Sequence, residues 1–352
     1  QSLDLSKNKL NQSKMASNAF KNLFYLNALN LSSNLFENVD QLFAEILIAN
    51  NKHLAAIYLN DNAIKSINMN HLIHFKSLSI LNLSHNQIDQ INIDLDNSDD
   101  SAPAAVGEEI NINTPTNHIM NLEEIFLNNN QLKSFSEVKN LLKFVKNQTL
   151  VNLDLSFNQL DEKTLIQNDF GFFFNDTKCF GRMRYLNLRG NKLNKIDSKL
   201  FSYNKSSSDS NANNNDNYGL INLIYLNLSD NNLGDDSFRS LNRLLSLEQL
   251  DLSQNKNLKS IRLVDLSKLV SLKCISFDGQ IDGLQRDEAN LGDDSSSQSN
   301  QSQQLLTIYK YNEKQKPTYL TQFLFEHLNN CLKTIDLNKT NLYITDRFIV
   351  SN

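Results

Sequence analysis

Tryptophan is absent from these 352 residues, and proline (3), cysteine (3) and glycine (9) are scarce. Each shortage removes a class of protein. Cys179, Cys274 and Cys331 are odd in number, far apart and never arranged as C-x-x-C, which argues against a disulfide framework and against a zinc site. They read as three free thiols. No glycine-rich phosphate loop and no G-x-S-x-G nucleophile turn occurs. No run reaches the roughly 18 to 20 apolar residues that cross a bilayer. The formal net charge of -5 gives no reason to expect a nucleic-acid partner. His71 and His74, three apart, lack a third ligand and read as part of a solvated turn. The acidic set Asp94, Asp96, Asp99, Asp100, Glu108 and Glu109 lacks the D-x-[DN]-x-[DN]-G order of a calcium loop and reads as solvated. The sequence therefore predicts no metal, no cofactor and no catalytic residue.

What is abundant is asparagine, at 55 positions, and part of it falls in register. The template L-x-x-L-x-L-x-x-N-x-L starts truncated as SLDLSKNKL at 2–10. It recurs from Leu26, Leu54, Leu78, Leu122, Leu150, Met183, Leu223 and Leu247, with degenerate copies from Leu272 and Leu332. Nine of these eleven copies keep the asparagine: Asn8, Asn34, Asn62, Asn86, Asn130, Asn158, Asn191, Asn231 and Asn255. Gln280 and Thr340 replace it in the last two.

Physical chemistry turns the template into a shape. L-x-L alternates apolar and variable residues, the period of a short strand, so the leucines point inward and the x positions outward. Each strand can pair only with its neighbours in adjacent coils, which gives a parallel sheet along the array. After each strand the chain must turn and leave backbone groups unpaired inside. An amide carries donors and an acceptor and can satisfy them, so the repeated asparagines read as a structural ladder.

The ladder spacing is mixed. Asn62 to Asn86 and Asn231 to Asn255 are 24 apart, whereas Asn34 to Asn62 and Asn130 to Asn158 are 28 apart. The longer coils carry helix-like segments at 38–50 and 136–147, and the shorter ones a looser return path. There Phe or Leu recurs six and three residues before the strand: Phe20 and Leu23, Leu72 and Phe75, Leu241 and Leu244, Leu266 and Leu269. Four inserts interrupt the array, near 94–118, 166–180, 203–218 and 282–316, and are expected on the convex side or rim. Three are polar low-complexity tracts. The one at 166–180 carries the aromatic run Phe170, Phe172, Phe173 and Phe174.

These motifs resemble the leucine-rich-repeat superfamily over nearly the whole chain outside the inserts. The LDLS and LNLS strands resemble its typical class, common in extracellular arrays such as Toll-like receptors and chaoptin. The resemblance implies one α/β domain over 1–352: a curved solenoid with a parallel sheet on the concave face, a mixed helix and loop convex side, and no catalysis. It implies binding of a protein partner or of another copy of the chain, in an extracellular receptor or adhesion ectodomain. The cysteine-rich caps of those relatives are absent, and the 28-residue coils look more like intracellular ribonuclease-inhibitor-type arrays. A cytoplasmic scaffold or regulatory subunit is the alternative. The chain starts with Gln1 inside a repeat and reads as an excerpt, so membrane attachment would come only through segments outside it.

Nine N-x-S/T sequons occur, about the number that chance gives. Asn30, Asn82, Asn147, Asn175 and Asn227 are the candidate glycosylation sites, and three of them follow from the LNLS template itself. Most x positions are small or polar. The aromatic exceptions point to a partner-binding patch of Phe126, Phe157, Tyr185, Arg189 and Tyr225 in coils five to eight, because interfaces favour Tyr, Phe and Arg. Rings that merely stack along the sheet are the competing reading.

Overall fold

The computed structural model describes residues 1–15, 19–20, 22–48, 53–92, 120–142, 144–146, 149–161, 181–196, 220–241, 244–258, 269–277, 307–310, 318–319 and 342–343. Eleven short strands form one parallel sheet in strict sequence order. They are β1 (Ser2–Asp4), β2 (Ala28–Asn30), β3 (Ala56–Tyr58), β4 (Ile80–Asn82), β5 (Glu124–Phe126), β6 (Asn152–Asp154), β7 (Tyr185–Asn187), β8 (Tyr225–Asn227), β9 (Gln249–Asp251), β10 (Cys274–Phe277) and β11 (Thr307–Lys310). Each strand pairs residue for residue with the next, so the side chains form straight rows across the sheet. The middle residue of each of β2 to β9 is buried, and the outer residues, Ala56 and Asn227 apart, are half-buried or exposed. This is the expected leucine-rich-repeat solenoid.

The ladder asparagines hold the coils together. Asn130 is typical: its Nδ2 donates to the carbonyls of Leu83 and Leu127, and its Oδ1 accepts from the Ile88 amide. The donor side therefore ties its own strand to the preceding one. The acceptor side ties the preceding coil's return path as well. Asn34, Asn62, Asn86, Asn158, Asn191, Asn231 and Asn255 repeat the pattern. Asn8, in the first coil, donates only to its own Leu5 and Ser6 carbonyls.

The residue before each ladder asparagine lies in the left-handed region: Lys7, Ser33, Asp61, His85, Asn129, Phe157, Gly190, Asp230 and Gln254. From Lys7 to Asp230 each of their amides donates to the next coil, as from Asp61 to the Ser84 carbonyl at 3.1 Å. The turn thus extends the sheet's hydrogen bonding beyond the strands. Eight of these nine residues carry a side chain, at about 1 kcal/mol or more of strain each.

The return paths fill the core. The helix α1 (Asp40–Ile48) buries Leu42, Phe43 and Ile46, and α3 (Phe135–Leu142) buries Phe135, Val138, Leu141 and Leu142. α1 lies within the expected 38–50, whereas α3 starts one residue before the expected 136–147 and ends at Leu142, beyond which Val145 bridges to Met120. In the shorter coils Phe20, Leu72, Phe75, Leu241, Leu244 and Leu269 are buried as their spacing implies, and Phe43 meets Phe75 edge-on at 6.0 Å. Leu23 is only partly buried, and Leu266 lies outside the described residues.

Three features were not foreseen. A second, two-stranded parallel sheet joins Ser66–Asn68 to Gln90–Asn92, where the sequence suggested only a loose return path next to α2 (Met69–Leu72). Its outer edge is closed by α3: the Ile91 amide donates to Glu137 Oε2, and Asn140 Nδ2 donates to the Ile91 carbonyl. Side chains one helical turn apart thus stand in for a third strand. The eleventh strand, Thr307–Lys310, lies inside the tract assigned to the 282–316 insert, not in the copy from Leu332. Of that copy only Leu342 is described, and Leu342–Tyr343 pairs with Thr318–Tyr319 in a separate small sheet. The inserts at 94–118, 166–180 and 203–218, with their acidic and phenylalanine clusters, lie outside the described residues.

The ladder makes a graded prediction. Asn130→Ala strands three buried backbone groups and should cost about 3 kcal/mol or more. Asn8→Ala, at an exposed site with local bonds only, should cost under about 1 kcal/mol. Urea unfolding of the two variants checks the order, and equal losses would contradict the ladder's role.

Candidate functional site

The outward positions of the sheet form two rows. Ser2, Ala28, Ala56, Ile80, Glu124, Asn152, Tyr185, Tyr225 and Gln249 make the first. Asp4, Asn30, Tyr58, Asn82, Phe126, Asp154, Asn187, Asn227 and Asp251 make the second.

The second row is largely structural. Where the strand reads LNLS or LDLS, the Asn or Asp Oδ1 accepts from both the amide and the hydroxyl of the serine two residues on. This holds at Asn30, Asn82, Asp154, Asn227 and Asp251. In coil one the same contact from Ser6 holds the Asp4 carboxyl below its ordinary range. Three candidate glycosylation sites therefore sit in this motif. Asn227 is the most enclosed: it is 6% exposed, and its Nδ2 donates to the Tyr225 hydroxyl at 3.1 Å. Asn147 and Asn175 lie outside the described residues.

The five residues of the expected patch separate into groups. Tyr185 and Tyr225 are neighbours in the first row, with ring centroids 6.4 Å apart, and Tyr185 is 45% exposed. Burial pushes the Tyr225 hydroxyl's ionisation up, and the hydrogen bond from Asn227 opposes it. The carboxylates of Asp251 and Asp154 act in the same upward direction, and Arg189 in the opposite one. The phenol therefore stays protonated at neutral pH.

Phe157 and Arg189 are not strand positions. Both lie in the turns that follow β6 and β7, Phe157 with a φ of 52°. The Arg189 guanidinium carbon stands 5.3 Å from the centre of the Phe157 ring. The Phe157 amide donates to the Arg189 carbonyl at 2.7 Å, which fixes one backbone against the other. Phe126 stands apart in the second row, beside Asp154. The structure thus joins two pairs and leaves the fifth residue outside.

Sequence reading missed Gly190. Its φ is +64°, and a Cβ there would lie 2.5 Å from Phe157 Cδ1. The glycine accommodates the turn and leaves the space that the ring occupies. The signal was available: this is the one ladder turn with glycine before its asparagine, and phenylalanine precedes the asparagine one coil earlier.

Among the described residues no group of three metal-ligating side chains occurs, and no helix is long and apolar enough to cross a membrane. His74 is exposed, and Cys274 belongs to β10.

The Leucine Rich Repeat family model matches residues 222–244, the coil that contains β8. None of the curated proteins compared with the chain matches it. Among solved structures, a leucine-rich-repeat protein of Leptospira interrogans is similar at 22% identity and a TM-score of 0.53. That alignment covers 79% of this chain and 55% of the Leptospira protein. A chain of the octameric complex of Latrophilin 3, Unc5D and FLRT2 is similar at 18% identity over 79% of this chain and 74% of its own, with a TM-score of 0.49. Internalin C2 of Listeria monocytogenes follows at 15% identity over 78% of this chain and 80% of its own, with a TM-score of 0.41. Likeness at these identities is a likeness of fold.

The Gly190 contact is testable by a double-mutant cycle. Gly190→Ala should cost about 2 kcal/mol or more, from left-handed strain plus overlap with the ring. In a Phe157→Ala background the same change should cost only the strain, about 1 to 2 kcal/mol. Equal costs in both backgrounds would show that the ring does not occupy that space.

Proposed function

We propose that this chain, whose strands stack into one open parallel sheet with a leucine-rich-repeat fold and one coil of which matches the Leucine Rich Repeat family model, is a protein-recognition scaffold that binds rather than catalyses. Its docking surface is the open sheet face around coils six to eight. The observation that carries this reading is the tyrosine pair Tyr185–Tyr225, the first exposed and the second half-buried, in a row otherwise made largely of small and polar residues. Rings present large area at low entropic cost and dominate interface energetics. A protein surface, or that of another copy, suits a face of eleven strands better than a small molecule does.

The compartment proposed is extracellular or cell-surface. The typical-class LNLS strands support it, and the 28-residue coils support the cytoplasmic alternative. Two measurements test these proposals. For partners isolated by proximity labelling, Tyr185→Ala with Tyr225→Ala should weaken rebinding about tenfold or more, with Lys133→Ala as the unchanged control. Unchanged affinity for every isolated partner would sink the open-face reading. Glycosidase treatment of the native protein should change its mobility. No change, with every sequon unoccupied, would favour the cytoplasm.

A further inference from the structure

Arg189 differs from the other charged groups on the open face. Its Nε is buried without a hydrogen-bond partner. Among the described residues its guanidinium also takes part in no ion pair and no side-chain hydrogen bond. The carboxylates that share its surroundings at Tyr225 bond to other groups. Asp154 accepts from Ser156 through Oδ1 and from Asn187 through Oδ2, and Asp251 Oδ1 accepts from Ser253. A partly buried guanidinium left this way forfeits favourable bonding.

What fixes the guanidinium is a ring, not a carboxylate. Arg189 stacks on Phe157, Phe157 is 42% exposed, and its ring occupies the space left by Gly190. Stacking sets the plane of the fork in advance, and less entropy is then lost when it binds. Tyr225 lies within its electrostatic reach, with a hydroxyl that accepts from Asn227 and keeps its own proton to donate. Planar fork plus phenol is a donor set matched to a carboxylate. The negative charges of Asp154 and Asp251, which Tyr225 also feels, repel a dianion such as phosphate more strongly than a single carboxylate.

We propose that the Arg189–Phe157 stack is the seat of one aspartate or glutamate side chain, presented by a protein segment whose apolar flank covers Tyr185 and Phe157. This rests on the open-face reading and deepens it by naming the partner's chemistry. Selectivity rests on the match between planar fork and carboxylate, and the two aspartates add repulsion that grows with the ligand's charge.

The test uses the full chain and a random linear-peptide display library as the probe. Selected peptides should be enriched in Asp or Glu beside an apolar residue. Arg189→Gln should weaken their binding about tenfold or more. Arg189→Lys should recover little, because an ammonium is a point charge without a planar fork. Arg184→Gln, on the same coil, should change binding little, and circular dichroism should show every variant folded. Peptides rich in Lys and Arg would overturn the proposal. Peptides weakened by Tyr185→Ala but indifferent to Arg189→Gln would overturn the carboxylate seat and leave the open-face reading standing. Peptides indifferent to both, or no selected peptide at all, would overturn both.

Discussion

From the second to the ninth, the coils of this protein each hang on one asparagine amide. The ladder asparagine closes the turn after its own strand and reaches back to the strand and return path of the coil before, with bonds of 2.9 to 3.1 Å at Asn130, Asn158 and Asn191. Leucines supply most of the burial, but burial is non-directional and would allow coils to slide or rotate. The amide is directional. It sets which strand residue faces which, and so produces the straight rows on the open face. Every surface feature of the sheet inherits its position from that register.

The strained turn follows from the same constraint. To aim the asparagine inward and keep the next amide bonded to the neighbouring coil, the preceding residue must be left-handed. The array accepts this strain because the alternative is worse: buried carbonyls and amides without partners. At Phe157 the strain has a second consequence. A large ring is held at the rim of the sheet, over a glycine and under a guanidinium. The most distinctive chemistry on the open face thus comes from the turn rather than from a strand.

Much of the fold was legible because its causes repeat. Leu–x–Leu and one asparagine per coil state both the strand and the ladder, and the helical period at 136–147 gave α3. What stayed hidden does not repeat by residue type. The left-handed row contains Lys, Ser, Asp, His, Asn, Phe, Gly and Gln, so no consensus marks it. Thr307–Lys310 lacks the template altogether, and its pairing with β10 is a tertiary choice. The small second sheet did leave a trace: Ile67 and Ile91 are 24 residues apart, the same spacing as Asn62 and Asn86. The candidate patch was only half legible. Counting all outward residues as one surface found the tyrosine pair, but it gave no hint that Phe126 lies in another row or that Phe157 and Arg189 sit in turns. It also missed Gly190, on which that turn pair depends.

Hydrogen exchange at single amides tests the ladder most directly. The amides of Ile64, Ile88, Leu132, Leu160, Leu193 and Leu233 are each bonded to an asparagine side chain of the following coil. If that bond couples the coils, these amides open only when neighbouring coils unfold together, and they should exchange with the slowest class in the molecule. Exchange at the rate of unprotected surface amides, in a protein whose strand amides remain protected, would contradict the account.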